Sequence, residues 1–139
     1  MRITLYTDYS LRVLLYLGLH EDRLCSVAEI AERYAISRSH LTKVVNMLGH
    51  LGVVETHRGR HGGLRLARKP EEIRLGMVMR HTEGNGQVAD CAACRIKPAC
   101  RLPSVLDRAL EAFFAVFDDY TVADIIKPRS GLLKLLEQQ

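Results

Sequence analysis

The chain has 139 residues, 20 Lys+Arg against 16 Asp+Glu, six histidines, four cysteines and no tryptophan. That length suits one compact domain or a small domain with a helical appendage, and a 47% hydrophobic fraction excludes wholesale disorder. No apolar run approaches the ~18–20 residues of a membrane span; the longest early run, Val13–Leu19, is broken by Gly18 and followed by Glu21 and Asp22 without a small-residue cleavage site, so the expectation is a soluble, cytoplasmic protein without a signal peptide.

Thr7 or Asp8 can cap a first helix running to about His20, with Leu11, Leu14, Leu15 and Leu19 on one apolar stripe and Val13 beside it. Glu21–Cys25 reads as a loop. Ser26 with Glu29 three residues on is a capping box, so a short second helix starts there, with Ile30 and Ala31 facing inward. Tyr34-Ala35-Ile36 makes a turn. Ser37 then caps a third helix from Arg38 to about His50, whose inner stripe is Leu41, Val44, Val45 and Leu48, ended by Gly49 and Gly52. Two helices at a short turn describe a helix-turn-helix. On the polar side of the third helix, Arg38, Ser39, His40, Thr42, Lys43 and Asn46 are types that reach base edges and phosphates; any surface helix of a bundle can look the same.

Val53–His57 and Leu64–Arg68 read as extended segments joined by Arg58-Gly-Arg-His-Gly-Gly63, whose glycines permit a tight reversal. A helix-turn-helix followed by a basic hairpin is a winged helix, with Arg58, Arg60, His61 and Arg65 placed for backbone or minor-groove contact. A nucleotide-cradling loop is the competing reading, but neither G-x-x-x-x-G-K-[ST] nor G-x-G-x-x-G occurs. Charge follows the same division. Residues 33–69 hold eight bases (Arg33, Arg38, Lys43, Arg58, Arg60, Arg65, Arg68, Lys69) and one acid, Glu55, whereas the flanking segments are slightly acidic. A basic patch of this kind marks a polyanion binder, or a merely solvated face.

Pro70 ends the wing, and Ile73–Thr82 reads as a short helix broken at Gly84-Asn-Gly86. An irregular stretch leads to Leu102, and Pro103 suits the first turn of a long helix to about Tyr120. Its apolar positions, Leu102, Leu106, Ala109, Leu110, Phe113, Phe114 and Phe117, form a stripe wide enough to pack against the same helix of a second subunit. Thr121 with Asp124 can cap one further turn, and the tail after Pro128 has no strong pattern. The fold expectation is mostly α with a small β-hairpin wing. Residues 1–82 form the winged helix-turn-helix, 83–102 a cysteine-rich loop, and 103–139 a dimerisation helix and tail.

Three of the four cysteines fall within ten residues, Cys91-Ala-Ala-Cys94-Arg-Ile-Lys-Pro-Ala-Cys100; Cys25 stands apart as a structural or incidental thiol. In a cytoplasmic chain such a triplet points to metal ligation or redox chemistry, and thiolates favour zinc or iron–sulfur clusters. Arg95, Lys97 and Arg101 flank the thiols, and nearby cations favour the thiolate form. A fourth ligand is missing; Asp90, His81, Glu83 or a partner's residue can supply it. A Cys₃His zinc site with His81 and a reactive C-x-x-C pair both stay open. As Cys91 and Cys94 do not follow a strand in a βαβ unit, a thiol oxidoreductase is disfavoured and no enzyme is expected.

Leu5-Tyr-Thr-Asp-Tyr-Ser-Leu-Arg12, Arg58-Gly-Arg-His-Gly-Gly-Leu-Arg-Leu-Ala67 and the C-x₅-C ending Lys97-Pro-Ala-Cys-Arg-Leu102 resemble the winged-helix iron–sulfur cluster transcriptional regulators of the NsrR/IscR type, over nearly the whole chain through Tyr120-Thr-Val-Ala-Asp124. The resemblance is nearest to the nitric-oxide-sensing members. It implies a homodimeric repressor of nitric oxide detoxification genes, with an iron–sulfur cluster, [4Fe-4S] in preference to [2Fe-2S], on Cys91, Cys94 and Cys100. The partner subunit's Asp8 would be the fourth ligand. Members of the other branch place a histidine three residues after the last cysteine, where this chain has Pro103. The resemblance further implies binding to palindromic double-stranded operator DNA, with recognition helices roughly 34 Å apart, and release on cluster nitrosylation. The rivals are a same-fold regulator answering to iron, cluster supply or redox stress, and a zinc-stabilised winged-helix DNA binder.

Overall fold

The computed structural model describes residues 2–84 and 88–138, so the break expected at Gly84–Gly86 lies outside the described residues beyond Gly84. In chain order come α1 (Leu5–Leu19), α2 (Val27–Arg33), α3 (Arg38–His50), β1 (Val54–His57), β2 (Gly63–Leu66), α4 (Leu75–Glu83), α5 (Leu102–Asp118), α6 (Val122–Ile125) and α7 (Arg129–Glu137). The result is mostly helical, a winged helix-turn-helix carrying a long C-terminal helix. Among the described residues no helix is long and apolar enough to cross a membrane.

Helix α1 is the hub, touching α3, α4, α6 and β2. Neighbours on several sides explain why a single stripe was too narrow an expectation. Val13, Leu14 and Leu17 are fully buried, while Leu11 and Leu15 are only half-buried. At Gly18 an added Cβ would lie 3.1 Å from Val122 Cγ1, so the missing side chain lets α6 sit directly on α1. The helix also starts earlier than Thr7 or Asp8. Thr4 is its cap, its hydroxyl accepting the Thr7 N–H at 3.2 Å, and Thr7 is buried.

The capping box of α2 forms as the spacing predicts, with the Glu29 N–H donating to Ser26 Oγ at 3.1 Å and the Ser26 N–H to Glu29 Oε2 at 2.9 Å. Ala35 makes the turn with φ 52°, and the Ile36 N–H donates to the Ala31 carbonyl at 2.9 Å. Ser37 holds the cap position of α3 without capping it; its hydroxyl instead meets that of Ser39 at 2.8 Å. Leu41, Val44, Val45 and Leu48 close the core from α3.

The hairpin pairs Val54 with Leu66 and His57 with Gly63. Its second strand is held on both edges, because Leu64 exchanges backbone hydrogen bonds of 2.7 and 2.9 Å with Cys25. Ile73 stays extended rather than helical, since its carbonyl accepts the Val122 N–H at 2.9 Å, and α4 starts only at Leu75. On α5 the expected stripe divides in two. Phe114 is buried and Leu106, Leu110, Phe113 and Phe117 half-buried, whereas Leu102 and Ala109 lie exposed. The tail forms α7, whose Leu132, Leu133 and Leu136 pack on the core.

Candidate DNA-reading face and thiol loop

All six polar residues expected on α3 are exposed. Three are already engaged: the Thr42 hydroxyl donates to the Arg38 carbonyl at 2.9 Å, the Ser39 hydroxyl meets Ser37, and the His40 ring stacks on Tyr9 with centroids 6.4 Å apart. The side chains of Arg38, Lys43 and Asn46 make no hydrogen bond or ion pair with other described residues. They stand on a helix anchored by four buried apolar side chains, a rigid mount for reading a groove.

At the wing tip Arg58, Arg60 and His61 are likewise exposed and unpaired among the described residues. Arg65 is not, because Glu55 lies opposite it in the hairpin register and takes its guanidinium. The same carboxylate meets His57 Nε2 at 3.0 Å, and His57 and Arg65 together hold it below the usual carboxylate range. The tip needs Gly62, where an added Cβ would lie 2.1 Å from the His57 carbonyl oxygen. Arg33, counted in the basic segment, leaves the face altogether, donating to the Leu136 carbonyl at 3.2 Å. Composition cannot reveal such a diversion.

A second network ties the head together behind this face. Glu29 accepts from Arg23 at 2.7 Å and Tyr16 at 3.0 Å. Burial alone would push its carboxyl up, but hydrogen bonds from Arg23, the Ser26 backbone and Tyr16 bring it down to about 2. Cys25 beneath the wing is fully buried, and burial pushes its thiol up to about 11, which fits a neutral packing residue.

The other three cysteines occupy the segment joining α4 to α5, with Cys94 exposed and Cys91 and Cys100 half-buried. Successive three-residue turns step through them, the Cys94, Lys97 and Cys100 N–H groups donating to the Cys91, Cys94 and Lys97 carbonyls at 3.4, 3.2 and 3.2 Å. The Leu102 N–H donates to Cys100 Sγ at 3.4 Å, a bond that strengthens when sulfur carries negative charge. Three free soft donors and an N–H aimed at one of them fit an iron–sulfur group by donor chemistry. Among the described residues no three His, Cys, Asp or Glu side chains gather closely enough to hold one metal ion.

The oxygen and nitrogen ligands weighed from sequence are variously occupied. Asp8 pairs with Arg12 Nε at 2.9 Å, and the Arg12 guanidinium sits 5.6 Å from the Tyr34 ring centre. Asp90 accepts the Ala92 N–H at 3.1 Å and shapes the loop entry. Glu83 is tied to the start of α1, where its carboxylate accepts from the Thr4 N–H at 2.8 Å, the Thr4 hydroxyl at 3.0 Å and the Thr7 hydroxyl. Acid at a helix N-terminus is favourable, but partners 76 to 79 residues away leave no sequence signal. His81 is exposed.

The profile of the Rrf2 family, described as iron-dependent transcriptional regulators, matches residues 3–128. The chain belongs to this family. It is 48% identical over 143 residues to the HTH-type transcriptional regulator NsrR of Shouchella clausii, covering 99% of this chain and 96% of that protein. Identity to the NsrR of Bacillus subtilis is 46% over 145 residues, covering 100% and 99%. Among solved structures, T. potens IscR superposes with a TM-score of 0.75 at 26% identity, over 92% of this chain and 88% of that one. The oxidized form of Staphylococcus aureus CymR gives 0.72 at 25% identity, over 91% and 97%. The chain is a DNA-binding transcriptional regulator of the NsrR type, not an enzyme.

Proposed function

We propose that this Rrf2-family chain is a homodimeric repressor that holds an iron–sulfur cluster on Cys91, Cys94 and Cys100 and leaves a palindromic operator when nitric oxide reaches that cluster. The observation that carries the reading is the position of the thiols: three free cysteines occupy the stretch linking the helix-turn-helix head to α5. A cluster held there supplies iron to which nitric oxide binds. The chain itself supplies three thiolates, the Leu102 N–H that steadies the Cys100 sulfur, and Asp8 as the oxygen donor to the partner subunit's site. Asp8 meets Arg12 through Oδ1 alone, and a carboxylate can keep such a pair on one oxygen while donating the other, so the two roles are compatible.

In this reading residues 1–82 read DNA, 83–102 hold the cluster and 103–139 dimerise. Leu102, Val105, Ala109, Ala112 and Val116 alternate spacings of three and four along α5 and are all exposed, Leu102, Val105 and Val116 by 52%, 55% and 57%. That is the seam of a helix pair, and it suits a second copy of the same helix. The opposite face of α5 is fastened to α4 by Arg80, which bonds Glu111 at 2.8 Å and Asp118 at 2.7 Å and lies 5.2 Å from the Phe114 ring centre. A rearranged thiol loop would therefore move α5 and α4 as a unit and alter the spacing of two heads.

The test is the optical spectrum of protein purified without oxygen, before and after stepwise nitric oxide. A brown protein with broad visible absorption that reshapes with a few equivalents supports the sensor. A brown protein indifferent to nitric oxide moves the signal to iron or redox state. A colourless, zinc-bearing protein that stays colourless after reconstitution overturns the cluster reading and leaves the winged-helix DNA binder.

A further inference from the structure

The family profile ends at Pro128, yet the chain continues into a helix that returns to the DNA-reading head. Helix α7 has no fully buried residue and rests on the core through half-buried leucines only. Its attachments are specific nonetheless. Arg129, its first residue, donates through Nη2 to the Leu19 carbonyl at 2.7 Å and through Nη1 to Glu21 at 3.4 Å. At its other end, the Leu136 carbonyl accepts from Arg33 Nη1 at 3.2 Å. Leu19 is the last residue of α1, and Arg33 the last of α2.

Each arginine thus caps the C-terminus of a different helix. The last carbonyls of a helix lack intrahelical partners and carry the negative end of its dipole, so a guanidinium there satisfies both needs. Nine residues of helix span about 13 Å, and here that span runs from the end of α1 to the end of α2. Leu132, Leu133 and Leu136 lay the strut against the core between these anchors. Helix α2 packs on α3 across the tight turn at Ala35, so holding α2 in place steadies α3 in addition to the direct packing of α3 on α1.

We infer that α7 is a brace that sets the attitude of the recognition helix, and that Arg33 and Arg129 are positioning residues for DNA binding that touch no DNA. The inference rests on the DNA-binding reading of α3. It explains why a cation of the basic segment is turned away from the reading face.

The experiment uses the full chain and a duplex that the wild-type protein selects from a randomised pool. Affinity is measured over a range of salt for Arg33→Ala, Arg129→Ala, the double variant and Arg33→Lys, with Arg60→Ala as the phosphate-contact control. Each single alanine variant should bind about three- to tenfold more weakly with the salt slope unchanged, because no counterion-releasing contact is lost. The double variant should be little worse than the poorer single one, since a strut freed at either end no longer braces. Arg33→Lys, which still donates to a carbonyl, should recover most of the loss. Arg60→Ala should lower the slope by about one. Wild-type affinity in the alanine variants overturns the brace. A reduced slope in Arg33→Ala overturns it too, by placing Arg33 on phosphate. A wild-type chain that selects no duplex overturns the DNA reading and the brace with it.

Discussion

The DNA-reading head and the thiol loop are built on opposite plans. In the head, Leu14, Leu17, Ile30, Leu41 and Leu48 are fully buried, and bonds between distant segments, such as Leu64 to Cys25, join wing to helices. Over residues 88–101 no side chain is fully buried, and the backbone bonds inside the loop reach only three residues along the chain. Burial and long-range pairing make a shape that the chain holds alone; short turns with free thiols make one that an outside group can complete. The DNA-binding region thus holds its shape by itself, while the thiol loop is the less fixed of the two, an arrangement that suits the sensor role proposed above.

The two regions should respond differently to truncation. Leu41→Ala removes a fully buried side chain from α3 and should destabilise the chain by about 2–5 kcal/mol. Cys94→Ser, at an exposed position of the loop, should stay within about 0.5 kcal/mol in the cluster-free protein while removing the visible colour of protein reconstituted with iron and sulfide. Denaturant melts of both variants check this. A loop variant that melts as early as Leu41→Ala would show that the thiol segment is part of the folded core after all.

The sequence was most legible where one rule acted locally. The Ser26–Glu29 capping box, Pro103 in the first turn of α5 and the glycine-rich wing each depend on neighbours within a few residues, and all form. Legibility failed where distant partners decide. Arg33 and Arg65 are drawn off the basic face by Leu136 and Glu55, and α7 gains its anchors from Leu19 and Arg33; the move of the α1 cap from Thr7 to Thr4 is, by contrast, a local adjustment within three residues. The three thiols were legible as a motif because spacing alone defines them. What spacing does not reveal is that Asp8, Asp90 and Glu83, the oxygen donors weighed beside them, all have local or long-range duties.

At the wing tip a single methyl group should act directly on DNA binding. Gly62→Ala puts a Cβ 2.1 Å from the His57 carbonyl oxygen, so the backbone must shift and Arg58 and Arg60 move with it. Operator affinity should fall by about 1–3 kcal/mol, while the melting transition changes less than in Leu41→Ala because the tip is exposed. Gly59, with open space around its Cβ position but φ +111°, should tolerate alanine poorly for a different reason, backbone strain rather than collision. Quantitative DNA binding on the two variants separates these causes: Gly59→Asn should recover part of the loss, and Gly62→Asn should recover none.

A pH-dependent effect tests whether charge as well as packing fixes the head. Glu29 sits near pKa 2 against an ordinary 4.5, so the folded chain keeps this carboxylate ionised at pH values where the unfolded chain has protonated it. The sign follows: its contribution is complete above about pH 4.5 and disappears as pH falls toward 2. With the side chain partly open to water, the contribution is about 1–2 kcal/mol once screening is allowed for. Glu29→Gln keeps the capping-box hydrogen bond to Ser26 but removes the charge that Arg23 and Tyr16 address. The variant should therefore be less stable than wild type at neutral pH, and the two stability curves should converge as the solution is acidified. Parallel curves over that range would assign the Arg23–Glu29–Tyr16 network a purely geometric role.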